Sequence, residues 1–110
     1  MKWNIVYFEE ALEDLKALDG SQRILVQKAI KKVSQNPVSI YEGGYGKPLG
    51  FKQGIGLTGC FKIKLKSSGL RIVYRIVKDN SYMQIIIIGL RADEIVYKVA
   101  KARWNKSENK

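Results

Sequence analysis

Strict alternation over Cys60-Phe61-Lys62-Ile63-Lys64-Leu65-Lys66 leaves the backbone one reading, an extended strand. Phe61, Ile63 and Leu65 fall on one face, and Lys62, Lys64 and Lys66 on the other. A second alternating run, Leu70-Arg71-Ile72-Val73-Tyr74-Arg75, follows after a tight turn. A two-residue Ser68-Gly69 loop would pair Leu65 with Ile72, Ile63 with Tyr74 and Phe61 with Ile76, so that apolar meets apolar. A three-residue loop would set Leu65 against Arg71 and turn one apolar face to solvent. The hairpin therefore gathers Lys62, Lys64, Lys66, Arg71 and Arg75 on one face. Such a row of like charge is tolerated where it meets water or where it meets an anion.

The other elements follow from periodicity. Residues 2–8 alternate loosely and read as a strand. Phe8, Ala11, Leu12, Leu15 and Leu18 recur at helical spacing, with Glu9, Glu10, Glu13 and Asp14 outward near the positive end of the helix dipole. Gly20 suits the C-terminal cap of that helix and Ser21 the N-cap of the next. The second helix buries Leu25, Val26, Ala29, Ile30 and Val33 and stops before Asn36-Pro37, completing a helical hairpin. Residues 43–59 hold seven of the ten glycines and read as an irregular, mobile loop. Its Gly54-Ile55-Gly56-Leu57-Thr58-Gly59 matches a dinucleotide fingerprint in letters only, because a strand follows where a helix is required. Strands are expected at about 60–66, 70–78 and 82–88. Asp93 opens a last helix on which Ile95, Val96, Val99 and Ala102 can pack, and residues 104–110 read as a frayed polar tail.

These elements make an α+β fold: an antiparallel β-sheet with an N-terminal strand, a helical hairpin packed on it, three further strands and a C-terminal helix. At 110 residues the chain, 1–110, is expected to be a single domain. Its longest apolar run, Ile85 to Ile88, is too short to span a bilayer, and the N-terminus gives no sign of a signal peptide, so no membrane association is expected. A lone cysteine, Cys60, fits a reducing cytoplasm. The formal charge of +10 is uneven: residues 1–42 carry six Lys/Arg and six Asp/Glu, so the whole excess lies in residues 43–110. That asymmetry suits nucleic acid, another polyanion or an acidic protein partner.

The chain has no histidine. Histidine-based triads, a histidine-pair ribonuclease and most zinc enzymes are thereby excluded, and no carboxylate cluster reads as a metal site. Neither cofactor nor metal is called for. Cys60 reads as a small strand residue rather than a nucleophile. Cations and tyrosines remain, and cations can bind a phosphodiester and neutralise the charge that builds on its oxygens. A Lys62 crowded by Lys64, Arg71 and Arg91 would give up its proton more readily and could accept one from a ribose 2′-hydroxyl. A tyrosine can stack beneath a base, although Tyr97 equally suits partial burial in a core. From the residues alone, a solvated face, a nucleic-acid surface and a catalytic site all stay open.

The string from Cys60 to Tyr74, with Ile88-Gly89-Leu90-Arg91 and Glu94-Ile95-Val96-Tyr97, resembles the RelE toxins of the RelE/ParE superfamily of type II toxin–antitoxin systems. The resemblance implies a ribosome-dependent endoribonuclease that cleaves mRNA in the A site by 2′-hydroxyl attack. It implies Lys62 as general base, Lys64 and Arg71 as phosphate contacts, Arg91 at the leaving 5′-oxygen and Tyr97 as the base-stacking residue. Lys66, Arg75, Lys98 and Lys101 would be weaker contacts to RNA or ribosome. The implied partners are a cognate antitoxin, the ribosome and mRNA, in a prokaryotic cytoplasm, with the free toxin monomeric. Leu90 stands where related toxins often carry a lysine, leaving Arg75 as a replacement cation. The alternatives are a gyrase-binding relative of ParE type and an inactive relative that binds only antitoxin or nucleic acid.

Overall fold

The elements run β1 (Asn4–Tyr7), α1 (Glu9–Ala17), α2 (Gly20–Val33), β2 (Lys47–Lys52), β3 (Ile55–Leu65), β4 (Leu70–Val77), β5 (Tyr82–Gly89) and α3 (Asp93–Glu108). This computed structural model describes residues 3–52, 55–89 and 93–108. One five-stranded sheet has the order β1-β5-β4-β3-β2. It is mixed: β1 lies parallel to β5, and the remaining neighbours are antiparallel. A short β1 at the edge can join in parallel because the helical hairpin carries the chain back across the sheet.

The hairpin differs from its expected caps. Asp19, not Ser21, is the N-cap of α2, its side chain accepting from the Gln22 N–H at 2.8 Å and from Ser21 Oγ at 2.9 Å. These bonds, the Gln22 N–H first, hold the Asp19 carboxyl below its ordinary range. Gly20 opens α2 instead of closing α1. The buried stripe of α2 is Val26, Ile30 and Val33, while Leu25 is exposed.

Both faces of the sheet are covered. On one side α1 and α2 bring Ala11, Leu15, Leu18, Val26, Ile30 and Val33 against Phe61, Ile63, Leu70, Ile72, Tyr74, Met83, Ile85 and Ile88. On the other, Val96, Tyr97 and Ala100 of α3 join Leu49, Leu57, Cys60, Val73, Ile86 and Ile87. The four consecutive isoleucines feed both cores through a bulge: Val73 faces Ile87 and Tyr74 faces Ile85, leaving Ile86 as the extra residue.

Two regions depart from the sequence reading. Within 43–59, residues 47–52 form an edge strand and β3 already starts at Ile55. The β3–β4 register also lies two residues from the expected one, with Leu65 opposite Leu70, Ile63 opposite Ile72 and Phe61 opposite Tyr74. The turn takes residues 66–69, closed by Gly69 N–H donating to Leu65 O at 2.9 Å with Gly69 at φ 76°. This register stacks Phe61 on Tyr74, ring centroids 5.3 Å apart, and lets the buried Tyr74 hydroxyl donate to Pro37 O at 2.9 Å.

The C-terminal segment is helical through Glu108, including most of the stretch read as a frayed tail. Trp104 supplies one anchor, lying under the Arg75 guanidinium at 4.5 Å. Arg103 supplies the other, its Nη1 reaching Asp14 Oδ2 at 2.7 Å and Ile86 O at 2.9 Å. Among the described residues no helix is long and apolar enough to cross a membrane.

Candidate active site

The register of three strands builds a cationic patch on the sheet face that α3 partly covers. Lys64 of β3 is directly opposite Arg71 of β4. Lys47 of β2 is directly opposite Lys62. Opposed residues hold their Cβ atoms about 4.5–5.5 Å apart, and like charges so placed are destabilising. Lys62, Lys64 and Arg71 are half-buried, whereas Lys47 is exposed. Arg71 is tethered at the hairpin end, Nη1 donating to Gly69 O at 3.0 Å and Leu70 O at 3.3 Å. Half-buried cations on a hydrogen-bonded scaffold have the chemistry to hold a phosphate.

The remaining expected site residues are spread more widely. Lys66 is exposed in the 66–69 turn, beyond the last strand pair. Arg75 shares the face but sits four residues along β4 from Arg71, about 13 Å away. It is engaged there by Gln84 Oε1, by the Trp104 ring at 4.5 Å and by Glu108 at 3.1 Å. Lys98 is exposed and Lys101 half-buried on α3. Tyr97 is 2% exposed, inside the core between α3 and the sheet. A base could stack on that ring only after α3 moved. Arg91 lies outside the described residues.

Cys60 sits in the same core, 2% exposed. Burial pushes its thiol from 9.0 up to about 12, with Arg75 and Lys101 opposing part of the rise. A thiol so placed is no nucleophile at neutral pH. Between those two values the unfolded chain binds fewer protons than the folded one, so stability falls as pH rises. The expected slope from this group is up to about 1.4 kcal/mol per pH unit. Urea midpoints across that window should fall more steeply for the wild type than for Cys60→Ala, the difference isolating Cys60 from the buried tyrosines.

No protein-family model matches the chain. Individual proteins do. Over 103 residues, 94% of this chain and 98% of the relative, it is 27% identical to the mRNA interferase toxin RelE of Escherichia coli K12. The mRNA interferase RelE of Shigella flexneri matches to the same extent. The fold agrees with a free-state structure of an E. coli RelE double mutant at a TM-score of 0.74, with 27% identity and coverage of 94% of this chain and 98% of that one. In sequence and in fold, then, the chain is similar to RelE toxins over nearly its whole length. It also matches that mutant bound to an antitoxin RelBc peptide, with a TM-score of 0.68, 27% identity and coverage of 91% and 95%.

Lys47 is the cation that pattern reading passes over, because it lies in the glycine-rich stretch read as a loop. A signal was present. Lys47-Pro48-Leu49-Gly50 places a proline where an edge strand tolerates one, and β2 is the edge of the sheet.

Proposed function

We propose that this RelE-like chain is the toxin of a type II toxin–antitoxin pair, cleaving ribosome-bound mRNA without a metal ion. The observation that carries this reading is the two pairs of opposed cations, Lys47 with Lys62 and Lys64 with Arg71, on one sheet face. Cations gathered in this way can bind a phosphodiester and neutralise the charge that builds on its oxygens. Lys64 and Arg71 hold the scissile phosphate. Lys62, as the neutral amine, takes the proton of the 2′-hydroxyl as the 2′-oxygen bonds to phosphorus. The bond from phosphorus to the 5′-oxygen breaks, and that oxygen takes up a proton from water. The products are a 2′,3′-cyclic phosphate and a 5′-hydroxyl, so DNA is not a substrate. Arg91 is assigned to the charge on the leaving oxygen by the sequence resemblance alone, and Tyr97 to base stacking once α3 has shifted.

The partner is an antitoxin. Relatives of this fold have been solved with one, including the intact E. coli RelBE complex, at a TM-score of 0.62 and 26% identity with coverage of 82% of this chain and 98% of that one. An acidic antitoxin segment would complement the +10 charge.

Primer extension on mRNA programmed into purified ribosomes, with a ribosome-free control and a chelator arm, tests the reading. Cuts inside the A-site codon that need ribosomes and survive chelation are expected. Their absence under every condition overturns it, and their loss with chelator alone overturns the metal-free part. Lys47→Ala should weaken ribosome binding and reduce the slope of log K against log salt by about one, as the loss of one phosphate contact requires.

A further inference from the structure

The segment joining α2 to β2 is tied down from within. Tyr45 N–H donates to Asn36 O at 2.9 Å, Gly46 N–H to Val38 O at 2.9 Å, Ile40 N–H to Gly46 O at 2.8 Å and Gly44 N–H to Ser39 O at 3.0 Å. Its base is fixed to the sheet by the buried bond from Tyr74 Oη to Pro37 O. Gly46 packs so closely there that a Cβ would stand 2.6 Å from both atoms. Two rings stand outward on this stapled loop beside the exposed Ile40: Tyr41 is 86% exposed and Tyr45 49% exposed. Neither exposure serves the core, and a loop this well bonded gains no solubility from bare rings.

A cation lies over one of the rings, and others are exposed on the same helix. Lys32 Nζ lies 5.6 Å from the centre of the Tyr45 ring. Lys28, one helical turn earlier, and Lys31 are exposed on α2. Glu42, the acidic residue of the loop, is paired with Lys78 at 3.6 Å. At the far end Lys47 follows directly and faces Lys62, so the patch is continuous with the candidate active site. Flat exposed rings interleaved with ammonium groups suit unpaired nucleobases flanked by phosphates, since any base can stack on a tyrosine while lysines follow the backbone.

We propose that Tyr41, Tyr45, Lys28, Lys31 and Lys32 form a second RNA-binding surface, leading to Lys47 at the candidate active site, that stacks unpaired bases and sets affinity rather than the rate of cleavage. The ribosome as its large RNA rests on the function proposed above; the RNA chemistry of the surface does not. The probes are a short 2′-O-methyl RNA oligonucleotide, which lacks the nucleophile and cannot be cut, and vacant ribosomes. Tyr41→Ala with Tyr45→Ala should weaken binding of both about 5- to 100-fold, while Tyr41→Phe with Tyr45→Phe, which keeps the rings, stays within about threefold of wild type. The cleavage rate on saturated programmed ribosomes should not change. If the double alanine variant loosens the loop, Tyr41→Ala alone carries the test, because an 86% exposed ring is not part of the packing.

Wild-type affinity of the alanine variants for both probes overturns the proposal, whether or not the wild type cuts mRNA. So does a slower saturated rate at unchanged affinity, or a loss confined to antitoxin binding. Weakened RNA binding in a protein that never cuts mRNA would instead overturn the nuclease reading and leave this surface standing.

Discussion

Lys62→Ala should lower the single-turnover rate of mRNA cleavage on saturated ribosomes by about 10²–10⁴-fold, the range for loss of a positioned general base. Lys62 stands on β3, a strand paired on both sides, opposite Lys47 and Val73. Its position is therefore fixed by two ladders rather than by a loop, and little relaxation can replace it. Lys62→Arg separates base from charge. A guanidinium keeps the cation but holds its proton above about pH 12, so ribosome affinity should persist while cleavage stays lost. Lys64→Ala and Arg71→Ala should each cost about 10²–10³-fold, as the removal of a single stabilising donor does. Lys66→Ala, in the exposed turn, should cost less than about tenfold. Restoration of wild-type cleavage by Lys62→Arg, or a loss at Lys66 equal to that at Lys62, would contradict the assignment.

Arg103→Leu should destabilise the fold by about 2–3 kcal/mol, below the range of about 3–5 kcal/mol for breaking one side of a fully buried ion pair because this pair is partly exposed. The pair is bidentate, with Nη1 to Asp14 Oδ2 at 2.7 Å and Nη2 to Oδ1 at 3.2 Å, and its side chains are only 17% and 20% exposed. Arg103 also satisfies Ile86 O at 2.9 Å, and Asp14 accepts the Ile88 N–H at 3.0 Å. Removal of the arginine therefore leaves the Asp14 carboxylate with the Ile88 N–H but no counter-charge from Arg103, and the bulge carbonyl of Ile86 without the guanidinium donor. Against a typical total of about 5–15 kcal/mol this is a large loss, readable as a drop in the urea midpoint. Lys78→Ala serves as the contrast: its pair with Glu42 spans 3.6 Å between side chains 65% and 54% exposed, so the change should stay within about 0.5 kcal/mol. An Arg103→Leu midpoint equal to wild type would mean that Trp104 and the apolar core alone hold α3 in place.

Faces were legible in the sequence where register was not. Period-two alternation assigns Lys62, Lys64 and Arg71 to one side whatever the turn length, provided the loop is even, and the actual shift of two residues preserves that parity. The choice between the two even registers rests on contacts far apart in the chain, Phe61 on Tyr74 and the Tyr74 hydroxyl on Pro37. The helical hairpin was legible because its stripe recurs at 3.6 residues. Its cap was misread because Asp19 and Ser21 both suit an N-cap, and only backbone geometry selects the one that reaches the Gln22 N–H.

The sequence by itself determined the α+β class, the apolar and cationic faces of β3 and β4, the absence of histidine chemistry and the confinement of the excess charge to residues 43–110. All of these depend on residue type or short-range period, which the chain carries locally. Tertiary structure alone decided that β2 completes the sheet and sets Lys47 opposite Lys62. It decided too that Arg75 is held by Trp104 and Glu108, and that Tyr97 lies beneath α3. Each of these is a meeting of elements distant in sequence, fixed by how the sheet and helices bury their apolar faces together, and no local pattern encodes that choice.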